Sequence, residues 1–175
     1  MKTRLFLPFF ILFCGSLLFA RETLPLKNAG FESLSGDLPL GWTLHPSSPG
    51  KVQGDSQIFH AGKASLRISH PGLMESHLLS EPLALQVGEL YRLSGWIKTE
   101  NVTPATGEGA LFNLHGMPYK TQALTGTHDW TKVELTFETD EQDSVLFNCL
   151  LGGWGLATGT AWYDDARFER LSEQS

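Results

Sequence analysis

Paired cysteines are missing from this 175-residue chain, which has only Cys14 and Cys149. Cys14 falls in a segment expected to be removed, so Cys149 has no intramolecular partner and a disulfide framework is excluded. Basic charge is also short: 13 Lys and Arg stand against 19 Asp and Glu, a formal net charge of −6. That balance argues against nucleic acid or an anionic membrane surface as a partner. After residue 21 no stretch of ten or more residues carries an apolar stripe of helical period, which excludes a helical fold. Catalytic signatures are lacking too. His45, His60, His70, His77, His115 and His128 show no paired metal-ligand spacing, and there is no Gly-x-Ser-x-Gly elbow or phosphate-binding glycine loop. Asp164 and Asp165 are neighbours on one strand and point to opposite faces. Glu134 and Glu138 stand about 13 Å apart at two-residue steps, too wide for a glycosidase pair. The expectation is therefore a protein that is not an enzyme.

What the sequence does have begins with one apolar run, residues 5–13, behind Lys2 and Arg4. Small residues follow at Gly15, Ser16 and Ala20, before the charged pair Arg21 and Glu22. That order is a secretory signal peptide over residues 1–20, with the cut after Ala20. Cys14, preceded by Ile11-Leu12-Phe13, keeps a lipoprotein signal open as the alternative. Cleavage takes two of the 13 basic residues and leaves 11 against 19 acidic ones, a net −8. The remaining residues, 21–175, are enough for one domain that needs no staples. The expected location is secreted, or periplasmic and cell-envelope, with no membrane contact after cleavage.

From residue 21 the apolar pattern has period two. Residues 132–138 alternate strictly, and residues 90–98 put Tyr91, Leu93 and Ile97 on one face and Arg92, Ser94, Trp96 and Lys98 on the other. Residues 64–68, 83–87, 110–114, 145–151 and 161–168 read as further strands, separated by turn residues such as Pro49-Gly50, Pro71-Gly72 and Gly152-Gly153. Many short strands at this spacing mean an all-β sandwich or barrel. On residues 161–168 alternation predicts Trp162, Asp164, Ala166 and Phe168 toward the core. Asp164 is then an inward carboxylate, costly unless several donors or a cation meet it, and calcium is the cation suited to extracellular oxygen ligands.

Three segments carry more: Asn28-Ala29-Gly30-Phe31-Glu32 with Gly41-Trp42, then residues 91–98, then Ala161-Trp162-Tyr163-Asp164-Asp165-Ala166. Their order and spacing resemble carbohydrate-binding modules of families four, nine and twenty-two. The resemblance implies a galactose-binding-like, jelly-roll β-sandwich of two antiparallel sheets, and a structural calcium held by the Gly30 carbonyl, Glu32, a carbonyl near Gly62 and Asp164. It also implies a polysaccharide or glycan ligand on a concave sheet face. Sugars are read by aromatic faces with polar groups beside them. The candidates are Trp96 and Arg92 on the polar face of their strand, Tyr119 and His115 in a turn-rich stretch, and Asn148 between Leu146 and Leu150. His45 stands where the family has its first cleft aromatic. Leu146 and Leu150 replace the polar groups common in family clefts, and they favour a second reading: a structural or protein-interaction sandwich that has lost the sugar cleft.

Overall fold

The computed structural model describes residues 19–139 and 144–173. The expected signal peptide, Cys14 included, lies outside these residues except for Phe19 and Ala20. Twelve strands follow in order: β1 Phe19–Thr23, β2 Leu34–Ser35, β3 Leu38–Pro39, β4 Thr43–Leu44, β5 Lys51–Asp55, β6 Ser65–Met74, β7 Ser76–Ala84, β8 Leu90–Pro104, β9 Gly109–Leu114, β10 Gly126–Glu138, β11 Ser144–Gly152 and β12 Ala157–Glu173. The longer ones, such as β8, β9, β10 and β11, alternate apolar and polar residues or are rich in branched and aromatic ones.

The strands form two antiparallel layers. One sheet runs β10-β8-β12-β6-β5, with β1 also pairing β12; the other runs β4-β7-β11-β9; β2 and β3 make a small hairpin. The protein is an all-β, jelly-roll sandwich. Between the layers lie Leu66, Ile68, Leu93, Ile97, Tyr163 and Phe168 from the larger sheet and Leu78, Phe112, Phe147, Cys149 and Leu151 from the smaller. Burial of one such side chain contributes about 1.5–3 kcal/mol. Phe112 meets Tyr163 edge-on at 5.4 Å, and the Tyr163 hydroxyl donates to the Leu150 carbonyl at 2.6 Å, tying the layers together. Burial pushes the Cys149 thiol well up, so it packs as a small apolar group.

β12 departs from strict alternation. The register with β8 shifts between Asp164↔Trp96 and Arg167↔Ser94, and Asp165 sits at φ 46°. This bulge places an extra residue opposite β8 and inverts the phase. Before it, Ala161 and Tyr163 face the core; after it, Ala166 and Phe168 do. Trp162 is therefore buried outside the core: the Arg67 guanidinium lies 5.5 Å over its ring, and its indole N–H donates to Asp55. Asp164 keeps its low exposure of 1% by another route, with its carboxylate turned to the backbone of residues 60–61.

Candidate functional site

The outer face of the four-stranded sheet is built by alternation. β11 sends Phe147, Cys149 and Leu151 inward, so Leu146, Asn148 and Leu150 face out; Leu111 and Asn113 do the same on β9, and His77 and Leu79 on β7. Rows form across the strands, His77–Leu150–Leu111 and Leu79–Asn148–Asn113. Beside them His45, His77 and His115, from three separate parts of the chain, converge with ring centroids 5.2, 5.2 and 5.6 Å apart. Asn148 Nδ2 donates to Asn113 Oδ1 at 2.8 Å and to His77 Nδ1 at 3.0 Å, while Asn148 Oδ1 is buried without a partner. Glu75 lies 3.6 Å from His77 Nε2. Burial holds His77 and His115 below the ordinary imidazole range, with the facing histidines adding to it against the pull of Glu75. Neutral imidazoles offer one donor and one acceptor each, the chemistry that reads hydroxyl groups. The centre of this face is filled, since Leu111, Asn113, Asn148 and Leu150 are all within 2% of full burial.

An open cleft lies at the rim. The loop Gly152-Gly153-Trp154-Gly155 joins β11 to β12, with Gly152, Gly153 and Trp154 all at positive φ. A Cβ at Gly152 would meet the Gly155 carbonyl at 2.6 Å, and one at Gly155 would meet Gly107 N at 2.6 Å, so the loop admits only glycine there. Trp154 is held at φ 55°, a conformation that costs a bulky residue about 1–3 kcal/mol, and its indole is 52% exposed. Lys120 Nζ stands 5.0 Å over that ring and is ion-paired to Glu108. Trp154, Lys120, Glu108, Gly116, Met117 and Pro118 line a cleft of about 420 Å³. Gly153 abuts the Leu111 side chain, and Gly116, which lines the cleft, directly follows His115 in the chain.

The six residues expected to bind a ligand are divided. His45, His115 and Asn148 share the outer face of the smaller sheet. Arg92 and Trp96 lie on the outer face of the larger sheet, where the His60 ring stacks on Trp96 at 4.0 Å and the edge of Trp130 meets His60 at 5.7 Å. Tyr119 packs on Phe137 at 4.1 Å, and its hydroxyl donates to the Glu138 carbonyl. One ligand cannot touch all six. Trp154 was readable only as a turn-flanking residue; its signal is the glycines on both sides. His77 carries no signal in the sequence, because its partners are 32 and 38 positions away.

The expected calcium residues do gather in one corner. Asp164 accepts N–H bonds from His60 at 2.7 Å, Ala61 at 3.1 Å and Asp165 at 2.7 Å. Glu32 accepts the Lys63 N–H at 2.9 Å, with its other oxygen against Gly62, which has φ 71°. Gly30 adjoins both Asp164 and Asp165, and His60 donates to Asp165 at 2.8 Å. Burial raises the Asp164 carboxyl above its ordinary range despite its three donors, with Asp165 adding repulsion. Among the described residues no three His, Cys, Asp or Glu side chains surround a common point.

The two-layer sandwich, with an exposed tryptophan cleft at its rim, places the protein in the class of jelly-roll β-sandwich modules. The chain is a member of the Carbohydrate binding domain family, whose pattern it matches over residues 25–149. No curated protein matches it. Similar solved structures include the CBM22-1 xylan-binding domain of Paenibacillus barcinonensis Xyn10C, at 19% identity and TM-score 0.52, covering 89% of this chain and 98% of that one. TmCBM61 in complex with β-1,4-galactotriose is 20% identical with TM-score 0.54, over 84% of this chain and 98% of that one. A cyclase from Fischerella sp. TAU is 16% identical with TM-score 0.58, over 89% and 100%. At these identities the likeness is one of fold.

Proposed function

We propose that this protein is a secreted, non-catalytic module that takes a glycan in the Trp154 cleft and along the adjoining histidine face. The observation that carries this is a half-exposed indole held in a strained backbone conformation. Strain of that kind, in a loop glycines force, serves presentation and not packing. A pyranose would lie on the indole, with Lys120 and Glu108 toward its hydroxyls and His115 next along the chain. Affinity electrophoresis against soluble and insoluble polysaccharides tests it: a micromolar to millimolar ligand is expected, roughly −8 to −4 kcal/mol. Trp154→Asn, which tolerates the same backbone, abolishes retardation. Silence across the whole panel removes the ligand assignment and leaves the fold untouched.

A second reading has one observation in its favour. The hollow of the smaller sheet is filled by Leu111, Leu150 and the two asparagines, and is not an open groove. A protein-interaction sandwich has that form, and light scattering after gel filtration, showing a stable oligomer or partner complex with no glycan binding, would select it.

Calcium is proposed as a structural ion at the Asp164 corner. The donor set fits its chemistry: hard oxygens from Asp164, Glu32, the Gly30 carbonyl and the Gly62 segment, around a buried carboxylate that burial leaves undercompensated. When bound, the ion supplies positive charge there.

A further inference from the structure

The outer face of the larger sheet, on the far side of the sandwich from Trp154, carries a cluster that glycan binding at the rim does not use. Arg92 lies between Glu169 and Thr136 across the strands, Ser94 between Arg167 and Glu134, and Trp96 between Asp164 and Lys132. Of these, Arg92, Ser94, Trp96, Lys132, Arg167 and Glu169 line a pocket of about 230 Å³ together with Arg21 of β1 and Asp165, and Glu134 stands beside it on β10. Four cations therefore face three carboxylates, Glu134, Asp165 and Glu169. Two of those carboxylates are engaged: Glu134 pairs with Lys132 at 3.0 Å, and Asp165 takes the His60 N–H at 2.8 Å. Arg92 donates from Nε to Thr136 Oγ1 at 3.4 Å, and Glu134 feels the charges of Arg92 and Arg21, but among the described residues Arg21, Arg92 and Arg167 make no ion pair. The β12 bulge makes this possible. The phase change it introduces brings Arg167 and Glu169 onto the Arg92 face while Phe168 enters the core.

Three unpaired guanidinium groups around one pocket, in a chain of net charge −6, are a local reversal of the molecule's sign. The guanidinium fork matches a two-oxygen anion and keeps its charge at all physiological pH values. Glu169, only 7% exposed, and Asp165 add acceptors that suit hydroxyl groups and oppose a dense polyanion such as nucleic acid. Trp96 supplies an apolar wall, its other face closed by His60. We propose that this pocket is a second glycan site, specific for the anionic group of an acidic sugar, a carboxylate or a sulfate ester. It does not depend on the Trp154 cleft.

The test is affinity electrophoresis and calorimetry of the full protein, at constant ionic strength, with polygalacturonate, dextran sulfate and unsubstituted dextran as probes. Binding to polygalacturonate, to dextran sulfate or to both, but not to dextran, is the expected result, and the two charged arms tell a carboxylate from a sulfate ester. Arg92→Gln and Arg167→Gln each weaken that binding by about tenfold, in line with loss of a charge-assisted contact, with thermal midpoints unchanged. Lys51→Gln, on a distant exposed lysine of β5, leaves it intact. Absence of binding to both charged probes overturns the proposal, as does binding that survives loss of both arginines.

Discussion

The His60 imidazole lies flat on the Trp96 indole, centroids 4.0 Å apart and planes 17° from parallel. Its Nδ1–H reaches Asp165 and its backbone N–H reaches Asp164, so one residue fastens the 55–63 segment across the outer face of the larger sheet. His60→Ala keeps the backbone bond but removes the stack and the Asp165 contact. A loss of about 1 kcal/mol in chemical denaturation, with an unchanged slope, is expected. Trp96 emission moves to the red as water reaches the ring. An unaltered spectrum and midpoint would show that the segment is held by backbone bonds alone.

Trp154 makes a prediction opposite in sign to that for an ordinary buried tryptophan. Core aromatic truncations cost about 3–5 kcal/mol. Here the residue is half exposed, its backbone is strained, and Lys120 Nζ lies 5.0 Å over its ring. Trp154→Asn places a residue that accepts left-handed φ at the same position. Its thermal midpoint equals or exceeds that of the parent while retention on glycan is lost. A large drop in stability would mean that the ring packs the loop.

Much of this fold is legible along the chain, and the failures have physical causes. Residues 132–138 and 90–98 alternate cleanly because each has one core face and one outer face, and the structure places them in β10 and β8. β12 misleads because a bulge adds one residue, so Trp162 and Tyr163 exchange faces; only the tolerance of an aspartate for φ 46° hints at it. β5 is silent because Lys51-Val52-Gln53-Gly54-Asp55 offers one apolar residue. Of the segment read as a strand over 83–87, only Leu83 and Ala84 are strand, as the end of β7, and residues 85–87 lie beyond it; the stretch of β7 over 76–82 is broken by Pro82 and polar serines. The histidine group is a tertiary fact: His45, His77 and His115 come together only when β7 and β9 flank β11.

Calcium binding at the Asp164 corner predicts a linked response. Added calcium raises the thermal midpoint and EDTA lowers it by several degrees, as for any ligand of the native state alone. Asp164→Ala abolishes that response. It also strands the N–H groups of His60, Ala61 and Asp165, at about 1–3 kcal/mol for each one that water cannot reach. A midpoint indifferent to both calcium and EDTA would leave Asp164 as an acceptor of backbone bonds only.

The buried histidines set the acid limit of the domain. His70 donates to the Ala157 carbonyl at 3.0 Å and lies 2.8 Å from Ser76 Oγ, and burial holds it below its ordinary value of 6.5. His77 and His115 are lowered for the same reason, with neighbouring imidazoles adding to it and Glu75 opposing. A histidine lowered on folding takes up protons in the unfolded chain first. Stability is therefore flat above about pH 7 and falls as pH drops below about 6.5, until the folded-state values are passed. His77→Gln and His115→Gln each flatten that slope, because each removes one group that withholds its proton. Since neutral imidazoles border the proposed glycan path and stay neutral in the folded protein through that interval, retention on glycan weakens only as pH falls to the lower folded-state values. Denaturation curves collected between pH 5 and 8 decide it: stability that rises on acidification through this range would contradict the burial of these rings.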